Sequence, residues 1–158
     1  DFSEFVESPD ARREYWTRKF DSHETITSAQ PNRGHEAVAE LVRRGAAGTV
    51  ITQNIDGLHQ KSGVPAEQVI ELHGNTTYAA CLECGARHEL EPIREVFLTC
   101  GTLPVCRACG GIVKTATISF GQAMPARPCA ARKTNRSAAI CSCAWAPRSW
   151  SIRPRGFR

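Results

Sequence analysis

Four cysteines fall in two matched pairs, Cys81-Leu82-Glu83-Cys84-Gly85 and Cys106-Arg107-Ala108-Cys109-Gly110. Two residues separate the thiols in each pair, and the glycine that follows allows a tight turn behind them. The second pair begins 22 positions after the first ends, close to the usual zinc-ribbon interval. Four thiolates on one tetrahedral ion leave no position for water. A zinc held by Cys81, Cys84, Cys106 and Cys109 would therefore be structural, adding folding free energy to a module too small to hold itself together. The same spacing also suits two redox pairs or buried thiols. Cys100 and His88 could substitute as ligands, although the simpler assignment omits both. Cys129, Cys141 and Cys143 have no metal spacing.

Two polar clusters stand where short apolar runs stop. Gln53-Asn54-Ile55-Asp56-Gly57-Leu58-His59 follows the β-branched run Gly48 to Thr52, and His73-Gly74-Asn75 follows Val69-Ile70-Glu71-Leu72. In open α/β sheets, ligands bind at the carboxyl ends of such strands. His73 offers an imidazole that Gly74 beside it leaves accessible, which suits a general base, although a lone histidine also reads as structural. Asn54 and Asp56 are alternatively turn formers in a polar loop. His35 and His59 read as structural, and His23 as a surface residue.

These residues must be positioned by elements. Ala37, Val38, Leu41 and Val42 recur at helical spacing, and Arg43-Arg44 before Gly45 forms a helix end. Helix followed by the strand 48–52 predicts an α/β layer architecture. Helical pieces are expected over residues 1–20, broken at Ser8-Pro9. Residues 1–77 are read as part of a larger α/β domain with a helical segment. Residues 78–111, with little periodic hydrophobicity between the knuckles, form an inserted module, and 112–125 return to the larger domain.

Charge divides the chain. The 158 residues carry 20 Lys+Arg and 16 Asp+Glu, but residues 1–125 hold 12 of the basic and all 16 acidic residues, whereas 126–158 hold 8 basic and none acidic. The acidic body and the scattered arginines of the tail argue against a specific nucleic-acid partner. No apolar run approaches the ~20 residues of a membrane helix, so no membrane role is expected. A chain of this size builds a core without disulfide staples, and no signal segment precedes its first residues, so a reducing, cytoplasmic location is expected.

The order of the motifs resembles the sirtuins, NAD-dependent protein deacylases. Thr52 to His59, Glu71-Leu72-His73-Gly74-Asn75, the paired cysteines, Ser119-Phe120-Gly121-Gln122 and Met124-Pro125 follow the family's sequence, and Pro31 to Ala37 resembles the segment upstream. The resemblance runs from about Asp1 to Pro125. It implies an incomplete doubly wound, Rossmann-like α/β domain with a small inserted zinc ribbon. It also implies a reaction in which the acyl oxygen of an acyl-lysine protein or peptide attacks the nicotinamide ribose of NAD. Nicotinamide is released and the acyl group passes to ADP-ribose. On this match Gln53, Asn54 and Asp56 line the nicotinamide-ribose pocket, His73 is the general base, and one structural zinc sits in the module. Ile118, Phe120 and Gly121 match a segment that pairs, as an extended strand, with the peptide backbone, a mode indifferent to most side chains.

The sequence departs from the family in four places. Thr115 stands where many members have proline, and Gln122 replaces a common glutamate. The family's early Gly-Ala-Gly phosphate loop has no counterpart, which should weaken NAD binding and leave this stretch with negligible turnover. The later Gly-Ser-Ser turn is also missing as written. In triplets taken from the last base of each codon and the first two of the next, however, Trp145-Ala146 must read glycine. The shifted frame also permits that turn after an apolar strand. The tail 126–158 is accordingly expected to be out of frame and disordered. The competing reading is a stand-alone zinc-ribbon binding module for nucleic acid or protein.

Overall fold

A computed structural model describes residues 1–123 and the backbone of 139–142. The N-terminal stretch forms helices α1 (Phe2–Glu7) and α2 (Pro9–Asp21), divided at Ser8, whose hydroxyl accepts from the Ala11 amide to cap the second helix. A short helix α3 (His23–Ser28) leads to α4 (Arg33–Arg43). Asn32 caps α4: its Oδ1 accepts from the Gly34 and His35 amides at 2.9 and 3.1 Å, and His35 Nδ1 reaches back to the Asn32 amide. The family-like segment Pro31 to Ala37 thus has a local structural role, and buried His35 is part of it.

After α4 come β1 (Thr49–Thr52), α5 (Leu58–Lys61), a 3-10 turn at Ala66–Gln68 and β2 (Val69–Glu71). Strands β1 and β2 are parallel, with Thr52 opposite Glu71. Val42 of α4, Ala47, Val50 of β1 and Val64 pack as one core beneath them. The chain then enters an antiparallel sheet of β3 (Gly74–Cys81), β4 (Arg87–Glu89) and β5 (Val113–Thr117), in the order β4-β3-β5. Between β4 and β5 lies α6 (Leu90–Cys100), a helix in the region expected to lack periodic hydrophobicity. Leu90, Ile93 and Phe97 fall three and four residues apart and turn one face of α6 to the core.

A second core lies against the antiparallel sheet. Trp16 and Phe20 of α2 pack with Ala79, Cys81, Leu90, Phe97, Cys106 and Val113, so the N-terminal helices join the cysteine module rather than the parallel sheet. The Trp16 and Phe20 rings stack 5.4 Å apart, and Phe20 lies 5.7 Å from Phe97. Residues 113–117 form the third antiparallel strand. Cys81 pairs with Val113 and Ala80 with Lys114. The β-branched content that makes 113–117 a strand does not specify which sheet it joins.

The last described segment, β6 (Ala139–Ser142), pairs parallel with the free side of β1, Thr49 opposite Ala139. These four positions lie in the tail expected to be disordered; an open edge of β1 offers backbone hydrogen bonds to an adjacent strand. The frame-slip expectation otherwise falls on 126–138 and 143–158, outside the described residues. No helix among the described residues is long and apolar enough to cross a membrane.

One close approach sets β3 against β5 within the antiparallel sheet. Gly74 has φ +73°, and a Cβ placed there would lie 1.9 Å from the Ala116 carbonyl oxygen. Gly45 has φ +71° with nothing within 4 Å of its Cβ position. Gly74→Ala should therefore lower stability by about 3 kcal/mol or more, combining left-handed strain with a backbone clash, and Gly45→Ala by only about 1. Urea unfolding of the two variants measures the difference.

Candidate functional site

Parallel pairing of β1 with β2 places their carboxyl ends side by side. The Leu72 amide donates to the Thr52 carbonyl at 2.8 Å, so the loop 53–57 and His73 leave the sheet from adjacent points. Gln53 is exposed, Asn54 and Asp56 are half-buried, and His73 is exposed. The Asn54 amide donates to Thr52 Oγ1 at 3.0 Å, and the Leu58 amide to Asp56 Oδ1 at 3.0 Å. One oxygen of Asp56 therefore forms a turn, in accord with the alternative reading of that residue. The loop is tied to β3 by the Thr76 amide, which donates to the Ile55 carbonyl at 2.8 Å.

The segment expected to meet a peptide lies beside His73. The Ile118 amide donates to the His73 carbonyl at 2.8 Å. The extended backbone stops at Thr117, however. Ser119 to Gln122 turn, with the Gln122 amide donating to the Ser119 carbonyl at 3.0 Å and Gly121 at φ +84°. Phe120 is 94 % exposed, and its carbonyl accepts from the Phe2 amide. Ile118 is thus brought to the site directly, whereas Phe120 and Gly121 occupy a turn beyond it.

Gln60, which the sequence did not single out, joins Glu71 and Asn75 in a polar network at the site. Glu71 Oε1 accepts from Gln60 Nε2 at 2.9 Å and Asn75 Nδ2 at 2.6 Å; burial pushes the Glu71 carboxyl up, against the pull of those two donors. This network floors a cleft of about 560 Å³ that Asp56, Gly57 and Arg87 also line. Buried His59 stands 5.0 Å from His35, and burial followed by that neighbour lowers its pKa, in accord with a structural reading. His23 differs from expectation. Its ring packs edge-on against Phe20, and its Nε2 lies 3.4 Å from Glu91 of α6, so the side chain bridges helices instead of facing solvent.

The four cysteines converge. Their Sγ atoms all lie within 4.8 Å of one another, with closest separations of 3.4, 3.5 and 3.6 Å. Thiolates at ~2.3 Å from a tetrahedral zinc would be ~3.8 Å apart, so the donor set fits that ion. Gly85 and Gly110 have φ +73° and +74°, and their amides donate to the Cys81 and Cys106 carbonyls, closing both knuckles. The Cys84 amide donates to the Cys81 sulfur and helps hold that thiol down to about 7, favouring the thiolate. Cys100 is exposed at the end of α6, and neither it nor His88 joins the cluster. When bound, the ion would supply cross-linking and no reaction step.

An α/β domain with a polar edge where parallel strands end, flanked by a four-cysteine module, defines the architectural class. The model for the Sir2 family matches residues 1–143, and the chain belongs to that family. It is 55 % identical over 124 residues to an NAD-dependent protein deacetylase of Rhodopseudomonas palustris and 54 % identical over 124 residues to NAD-dependent protein deacetylase 1 of Bradyrhizobium diazoefficiens. Each match covers 78 % of this chain and 49 % or 48 % of the relative, so the chain spans about half their length. Among solved structures, Sir2Tm bound to a propionylated peptide superposes with a TM-score of 0.70 at 29 % identity, covering 83 % of this chain and 53 % of that one. A Sir2 complex with a p53 peptide and NAD+ gives 0.70 and 29 %, covering 83 % and 52 %.

Zinc analysis of the purified protein should find one ion per chain. Cys84→Ser should release it and lower the melting temperature by ten degrees or more, as expected when a closed structural site is lost; unchanged metal content would contradict the assignment.

Proposed function

We propose that this chain is part of an NAD-dependent protein-lysine deacylase acting on acyl-lysine proteins or peptides in the cytoplasm. The observation that carries the reading is the hydrogen bond from Ile118 to His73. It sets the proposed peptide-binding strand beside the proposed base, next to the loop of Gln53, Asn54 and Asp56. The names of the relatives and the ligands of the solved neighbours support it.

NAD supplies an activated ribose that accepts the acyl group as nicotinamide departs. The chain's residues do the rest. Gln53 and Asn54 offer amide donors and acceptors to a carboxamide and to ribose hydroxyls. Asp56 keeps one carboxylate oxygen for the Leu58 amide and has a second to offer the pocket. His73, exposed at the strand end, takes a ribose hydroxyl proton on its ring, while its carbonyl stays committed to Ile118. The backbone beyond Thr117 receives the peptide by main-chain hydrogen bonds, which leaves side-chain selectivity low.

A stand-alone ribbon is disfavoured by continuity. The strand that begins at Gly74, immediately after His73, runs unbroken to the first zinc ligand, Cys81. The ribbon therefore forms one wall of the site.

The test is nicotinamide release from NAD in the presence of an acetyl-lysine peptide, using the full-length gene product. His73→Ala should lower turnover by about 10²-fold or more, the usual contribution of a positioned base. Turnover that survives the substitution would remove His73 from that role.

A further inference from the structure

Lys114 is 1 % exposed, an unusual place for a lysine, and among the described residues it has no carboxylate partner. Its Nζ donates to the Thr117 carbonyl at 2.6 Å, lies 3.4 Å from Thr117 Oγ1, and stands 5.6 Å from the centroid of the Tyr15 ring. Burial pulls its pKa down to about 8, which still leaves most of the population cationic at neutral pH. An ion held there at a desolvation cost invites a reason beyond packing.

The Thr117 carbonyl and the Ile118 amide belong to one peptide unit. Lys114 holds its oxygen and the His73 carbonyl holds its N–H. A peptide unit fixed at both ends cannot rotate about the chain axis, and this one is the last before β5 gives way to the turn at 119–122. Thr115 and Thr117 share a hydroxyl contact at 2.9 Å, and Thr115 also meets the Tyr15 hydroxyl, so the flanking side chains are braced against α2.

We propose that Lys114 is a positioning residue for peptide substrate: by locking the Thr117–Ile118 peptide unit, it sets the direction in which the docking strand leaves His73. The proposal rests on the deacylase reading, because only that reading assigns the strand to a peptide. A charge-assisted hydrogen bond to a carbonyl is stronger than a neutral one and resists competition from water. The incoming peptide therefore meets a strand end already oriented, which reduces the ordering cost of binding.

The experiment measures the affinity of a fluorescein-labelled acetyl-lysine peptide for the full-length gene product, alongside NAD affinity and melting temperature. Two variants are compared. Lys114→Met keeps the aliphatic length and removes the ammonium. Lys114→Arg keeps a cationic donor. Lys114→Met should weaken peptide binding about tenfold, as loss of one hydrogen bond to a charged group predicts, with NAD affinity unchanged and melting temperature not lowered. Lys114→Arg should stay within about threefold of the parent, since its guanidinium can make the same charge-assisted bond.

Peptide affinity unchanged in Lys114→Met would overturn the proposal. So would peptide and NAD affinities falling together with melting temperature in both variants, which would mark a packing role. Amide exchange at Ile118 separates the proposal from the reading beneath it. Faster exchange in Lys114→Met than in the parent supports the lock even if the parent binds no peptide, a result that would refute the deacylase reading alone.

Discussion

Gly74 sits at φ +73° with the Ala116 carbonyl where a side chain would begin, and the arrangement of the site follows from that close approach. Because β3 can lie against β5 there, the His73 carbonyl reaches the Ile118 amide. The antiparallel sheet thereby delivers its edge to the point where the parallel strands end. Any side chain at position 74 would push β3 and β5 apart and separate the strand end 117–118 from His73. The sequence Glu71-Leu72-His73-Gly74-Asn75 therefore unites three requirements in five residues: a half-buried carboxylate, an exposed imidazole and a backbone without a Cβ.

The cysteine cluster stabilises the other end of the same strand. Cys81 closes β3, is buried in the core with Trp16, Phe20, Phe97 and Val113, and faces Cys109 across 3.5 Å. An ion on those thiolates would pin β3 at its far end while Gly74 fixes its near end. The ribbon is small for an independent core, and α2 extends it with two aromatic residues. Aromatic pairs of this kind contribute about 0.5–1.5 kcal/mol each beyond burial, a useful increment for a module this size. The cysteine cluster, the antiparallel sheet and the helical cover thus bear on one loop edge, which the Thr76–Ile55 hydrogen bond ties to β3.

Much of this was legible in the sequence, for local reasons. The knuckles, the capped helix α4 and the β-branched strand β1 are set by spacing, capping chemistry and side-chain shape within a few residues. The polar groups at the strand ends were legible for the same reason. Long-range choices were not. Helix α6 was obscured because Leu90, Ile93 and Phe97 are diluted by charged neighbours and lie between two stronger motifs. The allegiance of residues 113–117 depends on which sheet edge is free, and that of α2 on where Trp16 and Phe20 find apolar partners. Lys114 was illegible because a lysine in a strand normally reads as solvent-facing; only its burial against Tyr15 and its reach to Thr117 reveal otherwise.

The central claim is that His73 and the end of β5 form one hydrogen-bonded unit. It is tested most directly by scalar coupling across that bond, between the Ile118 amide nitrogen and the His73 carbonyl carbon, in isotopically labelled protein. A resolved coupling, together with slow exchange of the Ile118 amide, is the predicted result. No coupling and an amide that exchanges as rapidly as an exposed loop would contradict it.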